Sequence, residues 1–195
     1  MIPDAYYENI FEIDYAKLKN IGIKYIFFDI DNTIIPYKEL KINKKTKDLF
    51  KKIKKDFNVF LFSNSGRKRV LNIAKELNVN AYYSSMKPLK KNYKKITNIF
   101  NKNECIFIGD QFLTDVFGAK RNKLKVIFVN KLKEYEPLTT KFWRTIEKHF
   151  LKKYKKLNVF NINEYYDRLR NIWILFILWY NFIRIERGYY EKEFY

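Results

Sequence analysis

The sequence predicts an α/β fold doubly wound around a parallel five-stranded sheet. Three observations lead there. Short apolar runs recur between longer charged stretches of helical period. Several of those runs end abruptly in Asp or Ser. And a chain of 195 residues, 47% hydrophobic with only five Gly and four Pro, has the content of one packed core and no long flexible linker.

The elements follow in order. Tyr25-Ile-Phe-Phe-Asp-Ile30 reads as a buried strand. Lys44 to Asp56 reads as an amphipathic helix with Leu49, Phe50 and Ile53 on one side. Asn58 to Phe62 is a second strand, and Arg67 to Leu77 a helix whose apolar positions are Val70, Leu71, Ile73, Ala74 and Leu77. Asn80 to Ser84 is the third strand. Pro88 to Phe100 is a helix with the proline in its first turn. Cys105 to Ile108 is the fourth strand, Thr114 to Arg121 a short helix, and Leu124 to Val129 the fifth strand. Alternation of this kind makes each connection a helical crossover between parallel strands.

The strand ends carry the chemistry. In Phe27-Phe-Asp-Ile-Asp-Asn-Thr33, two acids leave a buried run and enter a turn. Ionised acids sit at such a place when paired or bound to metal, and open α/β sheets bind ligands there. Ser63 and Asn64 follow the second strand, where hydroxyl and amide can hold phosphate oxygens. Lys87, just before Pro88, supplies a fixed cation. Cys105 to Asp115 ends a strand in Gly109-Asp110, with Asp115 five residues on. Acids converging at one sheet edge offer oxygen ligands, which suit a hard cation, Mg2+, and not zinc. Asp115 with Thr114 also has the composition of a helix cap.

The order Asp29-x-Asp31-Asn32-Thr33, Ser63, Lys87, Gly109-Asp110-Gln111-x-x-Thr114-Asp115 resembles the haloacid dehalogenase-like phosphatases, and within them class IIIA. A finer resemblance is to the YqeG-type phosphatidylglycerophosphatases. It is carried by Ile2 to Asp14, Leu18-Lys19, Ser63-Asn64, Arg69-Val70, Lys87-Pro88, Gly109 to Asp115, Arg121-Asn122 and Thr140…Arg144…Glu147. It covers roughly residues 2–150. Ser65 departs from it, since that family usually has a second Asn there. The resemblance implies a Rossmannoid fold and a set of roles. Asp29 would be a covalent nucleophile and Asp31 the acid and base, with its backbone carbonyl on the metal. Ser63, Asn64 and Lys87 would bind phosphate. Asp29, Asp31 and Asp110 would hold Mg2+, and Asp115 would bind the metal or orient its water and Lys87.

Spacing predicts an open site. Asp29 and Ser63 are 34 residues apart, Ser63 and Lys87 24, and each gap is filled by one helix and one strand. No cap domain fits, so the site admits a phosphate presented on a large body: a lipid in a bilayer, a protein or a nucleic-acid end. Small phosphorylated metabolites are less favoured.

The phosphatase domain is assigned to residues 1–157 and an apolar, aromatic helical extension to 158–195. Within the first, Lys141 to Leu157 reads as a helix with a basic stripe of Lys141, Arg144, Lys148, Lys152 and Lys155. In the second, Ile172 to Ile185 as a helix would span about 21 Å, short of a ~30 Å hydrocarbon core. It therefore belongs on the sheet's flank, on a partner or at a membrane interface. The net charge of +19 favours anionic partners, an anionic lipid head group or membrane surface before nucleic acid, for which no motif is present. Most of the cations are lysines in a chain also rich in Asn, Ile, Tyr and Phe, a bias that an AT-rich genome produces without selection for binding. One cysteine, no apolar leader and no long apolar run suggest a cytoplasmic protein, peripheral on the inner face of the membrane if its substrate is a lipid. The competing classes are a basic nucleic-acid-binding protein, including a polynucleotide-end phosphatase, and an interaction module built on Ile172 to Ile185.

Overall fold

The structure is a computed structural model, and it describes residues 3–133. The basic stripe, the Ile172–Ile185 segment and the proposed extension lie outside the described residues.

The chain runs β1 (Ala5–Tyr7), α1 (Tyr15–Asn20), β2 (Tyr25–Phe28), α2 (Lys44–Ile53), β3 (Asn58–Phe62), α3 (Arg67–Leu77), β4 (Asn80–Tyr82), α4 (Lys90–Ile99), β5 (Cys105–Gly109), α5 (Phe117–Arg121) and β6 (Lys125–Val129). The strands form one sheet of order β1-β6-β5-β2-β3-β4, every pair parallel. It has six strands where the sequence predicts five. The additional one, β1, is a three-residue edge strand with Tyr6 exposed, and so it lacks an apolar run. Asp4 ties it down, giving its backbone N–H to Val126 O at 2.8 Å and accepting from Val126 N at 2.7 Å.

From β2 the chain moves outward through β3 and β4, then crosses to β5 and β6 on the other side. The order thus reverses at β2, and the crevice at its carboxyl end is where such sheets take ligands. β2 is buried on both faces, which explains its unbroken apolar run. Phe27 lies level with Phe60 and Phe107 on its neighbours, and the rings stack at 5.0 and 4.7 Å. Phe28 faces the opposite layer, against Phe50 of α2 at 5.0 Å.

Local chemistry sets the element ends. Asn43 caps α2 by accepting from Thr46 N at 2.7 Å, and Asp14 caps α1 through Lys17 N at 2.9 Å. Asn78, at φ +52°, closes α3 in the left-handed region that Asn tolerates. Pro88 does not open α4. Leu89 is still extended, at φ −64° and ψ 137°, so the helix begins only at Lys90. The predicted helix from Thr114 is a π turn over Phe112–Val116 followed by α5. Among the described residues no cap domain interrupts the core: α2 and β3 fill the first gap and α3 and β4 the second. Among the described residues, no helix is long and apolar enough to cross a membrane.

Candidate active site

Asp29 and Asp110 stand just past β2 and β5, and Asp115 lies in the turn that follows. Phe28 is level with Leu61 of β3 and Ile108 of β5, so Asp29, Ser63 and Asp110 emerge together at the crevice. Asp29 is anchored by its own N–H on Ile108 O at 2.9 Å. The turn beyond it doubles back: Ile34 N–H and Ile35 N–H both bond Ile30 O, at 3.1 and 3.2 Å, and Asn32 N–H bonds Ile35 O at 2.8 Å. Asn32 sits at φ +62°, which explains an Asn there. The next residue, Thr33, donates its hydroxyl to Asp110 Oδ1 at 3.0 Å. Asn and Thr after the two acids thus shape the turn and hold a third acid.

Lys87 is the centre of the site. Its side chain is buried, and Nζ donates to Asp29 Oδ1 at 2.6 Å and to Asp115 Oδ1 at 2.5 Å. Burial disfavours its charge, but Asp115 and Asp29 outweigh it and hold the ammonium above its ordinary range. Asn64 fixes the lysine's backbone from both sides, accepting from Lys87 N at 2.6 Å and donating to Lys87 O at 3.2 Å. The Asn64 side chain is therefore turned onto a peptide. Ser63 Oγ accepts from Ser65 N at 3.1 Å, leaving its hydroxyl proton to be donated.

Asp115 Oδ2 accepts from Gln111 N at 3.1 Å. The side chain lies against Gly109, where an added Cβ would come within 2.4 Å of Asp115 Cγ. This is why a glycine precedes Asp110. Gly109→Ala is expected to displace Asp115 and, through it, Lys87. Displacements of about 1 Å at reacting groups cost on the order of 100-fold in rate. A kcat within twofold of wild type, with the fold intact by circular dichroism, would show the packing to be irrelevant.

Asp29, Asp110 and Asp115 are all buried, with one oxygen of each within 4.8 Å of the others. Lys87 reaches two of the three carboxylates, Asp29 and Asp115. Burial pushes the Asp29 carboxyl well above the usual carboxylate range; Lys87 opposes this, and Asp115, Asp110 and Asp31 add to it. Three buried carboxylates, each offering a hard oxygen donor, fit a divalent cation such as Mg2+. The Asp31 side chain turns elsewhere: Oδ2 accepts from Ser65 Oγ at 2.5 Å, and Oδ1 from Arg69 Nη2 at 2.7 Å.

From the sequence, Thr33, Ser65 and Arg69 are named without a role in the site, and Tyr93 is missed. Tyr93 of α4 is fully buried, donates to Thr114 O at 3.0 Å and packs over Gly118, supporting the turn that carries Asp115. Arg69 had a signal. α3 opens with Arg67, Lys68 and Arg69 and no acid, against the helix dipole, so at least one cation there should have a partner outside the helix.

The parallel sheet and its strand-end acids agree with the class of phosphatase that the sequence resembles. Comparison with known proteins gives the family. A family model described as mitochondrial PGP phosphatase matches residues 1–132. A Bacillus subtilis (strain 168) protein, "Probable phosphatase YqeG", is 31% identical over 158 residues, 80% of this chain and 92% of its own. The chain belongs to this PGP phosphatase family. Solved structures resemble it more distantly. The magnesium-bound HAD-hydrolase YfnB of Bacillus subtilis matches at TM-score 0.49 and 13% identity, over 59% of this chain and 90% of its own. A HAD-like family hydrolase of Porphyromonas gingivalis matches at TM-score 0.47 and 16% identity, over 63% and 98%. The family assignment rests on the two sequence matches.

Proposed function

We propose that this phosphatase is a Mg2+-dependent phosphomonoesterase that works through an aspartyl-phosphate on Asp29 and converts phosphatidylglycerophosphate to phosphatidylglycerol at a membrane surface. The observation that carries the chemistry is the buried Lys87 ammonium clasped between Asp29 and Asp115 at the open end of β2. The family to which the chain belongs, the lack of a cap among the described residues and the charge of +19 support the lipid substrate.

Asp29, Asp110 and Asp115, with the Asp31 backbone carbonyl, are the groups that would hold Mg2+. When bound, the ion offsets the repulsion between an anionic nucleophile and a phosphate dianion. The Asp29 carboxylate attacks phosphorus; its O–P bond forms as the ester P–O bond breaks. Asp31 gives a proton to the departing alkoxide. In the second half, Asp31 takes a proton from water as that water attacks phosphorus. The Asp29–phosphate bond breaks, releasing inorganic phosphate and restoring the carboxylate. Lys87 and the Ser63 hydroxyl neutralise the phosphoryl oxygens throughout. Asn64 keeps Lys87 in place through its backbone, which is how it serves phosphate binding.

A phosphate-release screen with phosphatidylglycerophosphate in anionic vesicles, nucleotides, 5′- and 3′-phosphorylated oligonucleotides, sugar phosphates and a phosphopeptide tests the assignment. The lipid should give the highest kcat/KM by at least tenfold. An oligonucleotide or sugar phosphate ranking first would reject the lipid reading and keep the chemistry.

A further inference from the structure

Among the three cations that open α3, two face outward. Arg67 lies over the Tyr83 ring at 5.7 Å, and Lys68 is exposed. Arg69 turns inward. Its side chain is 18% exposed, and its fork is divided between two partners: Nη2 donates to Asp31 Oδ1 at 2.7 Å and Nη1 to the Glu39 backbone carbonyl at 2.5 Å. Glu39 spends its own carboxylate on Lys133, so it does not compete for the guanidinium. The other Asp31 oxygen, Oδ2, is met by Ser65 Oγ. The Asp31 carboxyl is thus gripped at both oxygens by residues that follow β3, while its backbone belongs to the turn after β2.

An exposed ion pair of this kind would contribute little to stability. This pair is mostly buried, and it lies two residues from the nucleophile. We infer that Arg69, seconded by Ser65, is a positioning residue: it fixes the direction in which Asp31 presents its proton to the leaving alkoxide. The inference rests on the proposed role of Asp31 as acid and base.

The chemistry is consistent in both protonation states. Oδ1 can accept from Arg69 whether Asp31 is ionised or protonated, so the acid proton sits on Oδ2. While Oδ2 carries the proton the Ser65 hydroxyl does not need to donate to it; once that proton has moved to the leaving oxygen, Ser65 donates to the ionised Oδ2. The planar guanidinium, held at its other nitrogen by Glu39 O, sets the carboxyl plane. Lysine would keep the charge and lose the two-point geometry.

Leaving groups separate this role from a merely structural one. An alkyl alkoxide needs a proton as it departs; a 4-nitrophenolate does not. The quantity to follow is kcat/KM, which reports the steps up to the first P–O cleavage, for an alkyl phosphomonoester and for 4-nitrophenyl phosphate. General acids contribute roughly 100- to 10,000-fold. Arg69→Met should therefore lower kcat/KM about 100-fold on the alkyl ester and less than tenfold on the nitrophenyl ester. Arg69→Lys should recover part of the alkyl-ester loss, and Ser65→Ala should show the same selectivity more weakly. Equal losses on both substrates, or none, would overturn the inference. Should Arg69→Met fail to fold, the same comparison on Arg69→Lys decides. Asp31→Asn, measured alongside, separates the two levels of the account. If it loses both substrates equally, Asp31 is not the acid and the inference falls with that role. If it is selective and the Arg69 variants are not, the inference falls alone.

Discussion

Asp29→Asn is expected to reduce kcat at least 1,000-fold, about 4 kcal/mol of barrier at ~1.4 kcal/mol per tenfold. The substitution keeps the shape of a buried side chain and removes the nucleophile's charge. Asn can still accept from Lys87, but it cannot form the mixed anhydride that a carboxylate forms with phosphorus. It also takes one of three carboxylates from the acidic cluster. Folding should survive, because a buried charge whose burial already works against it is being neutralised. The checks are phosphate release and the thermal midpoint measured together. Turnover above a tenth of wild type in a folded variant would assign the attack to another group.

The second large effect concerns the cation. In its absence, burial raises the Asp29 carboxyl well above the usual carboxylate range. A carboxyl raised on folding binds its proton more tightly in the folded state. Its contribution to stability is present below the usual carboxylate pKa and is lost as pH rises through the raised value. A divalent cation that takes the proton's place therefore stabilises more at higher pH, and its binding releases protons. A ligand at 100 times its Kd contributes about 2.7 kcal/mol. At ~2–4 °C per kcal/mol, Mg2+ should raise the thermal midpoint by roughly 5–10 °C near pH 8. The rise should be smaller near pH 5, and Asp110→Asn should remove most of it. Activity should vanish in EDTA and return with Mg2+. A midpoint indifferent to Mg2+ at both pH values, or full turnover in chelator, would contradict the cation site.

How much of this was legible in the sequence follows from where each residue gets its partners. β2, β3 and β5 were plain because they are apolar on both faces or nearly so, and their acids and Ser63 stood out at the ends of those runs. β1 and α1 were not. A three-residue edge strand with Tyr6 exposed shows no run, and a six-residue helix burying only Leu18 shows little period. The acids of the cluster could be placed at one edge by topology alone. The orientation of their side chains could not. Arg69 meets Asp31 from 38 residues away, and Asn64 meets the Lys87 peptide from 23. Those contacts depend on how the turns after β3 and β4 approach β2, which no local pattern encodes. Pro88 misled for a related reason: its fixed φ suits a helix start, yet here it serves the turn that delivers Lys87. Gly109 reads as a strand-end glycine until Asp115 is seen folded against it.

The central claim is that phosphate passes through a covalent bond to Asp29, and it can be observed. Enzyme, Mg2+ and a phosphomonoester labelled with 32P are mixed, quenched in acid within the first turnovers, and digested for mass spectrometry. The account predicts label on a single peptide containing Asp29, stable in acid and released by hydroxylamine, and no label with Asp29→Asn. Label on another residue, or phosphate release from active enzyme with no labelled peptide at any quench time, would contradict it.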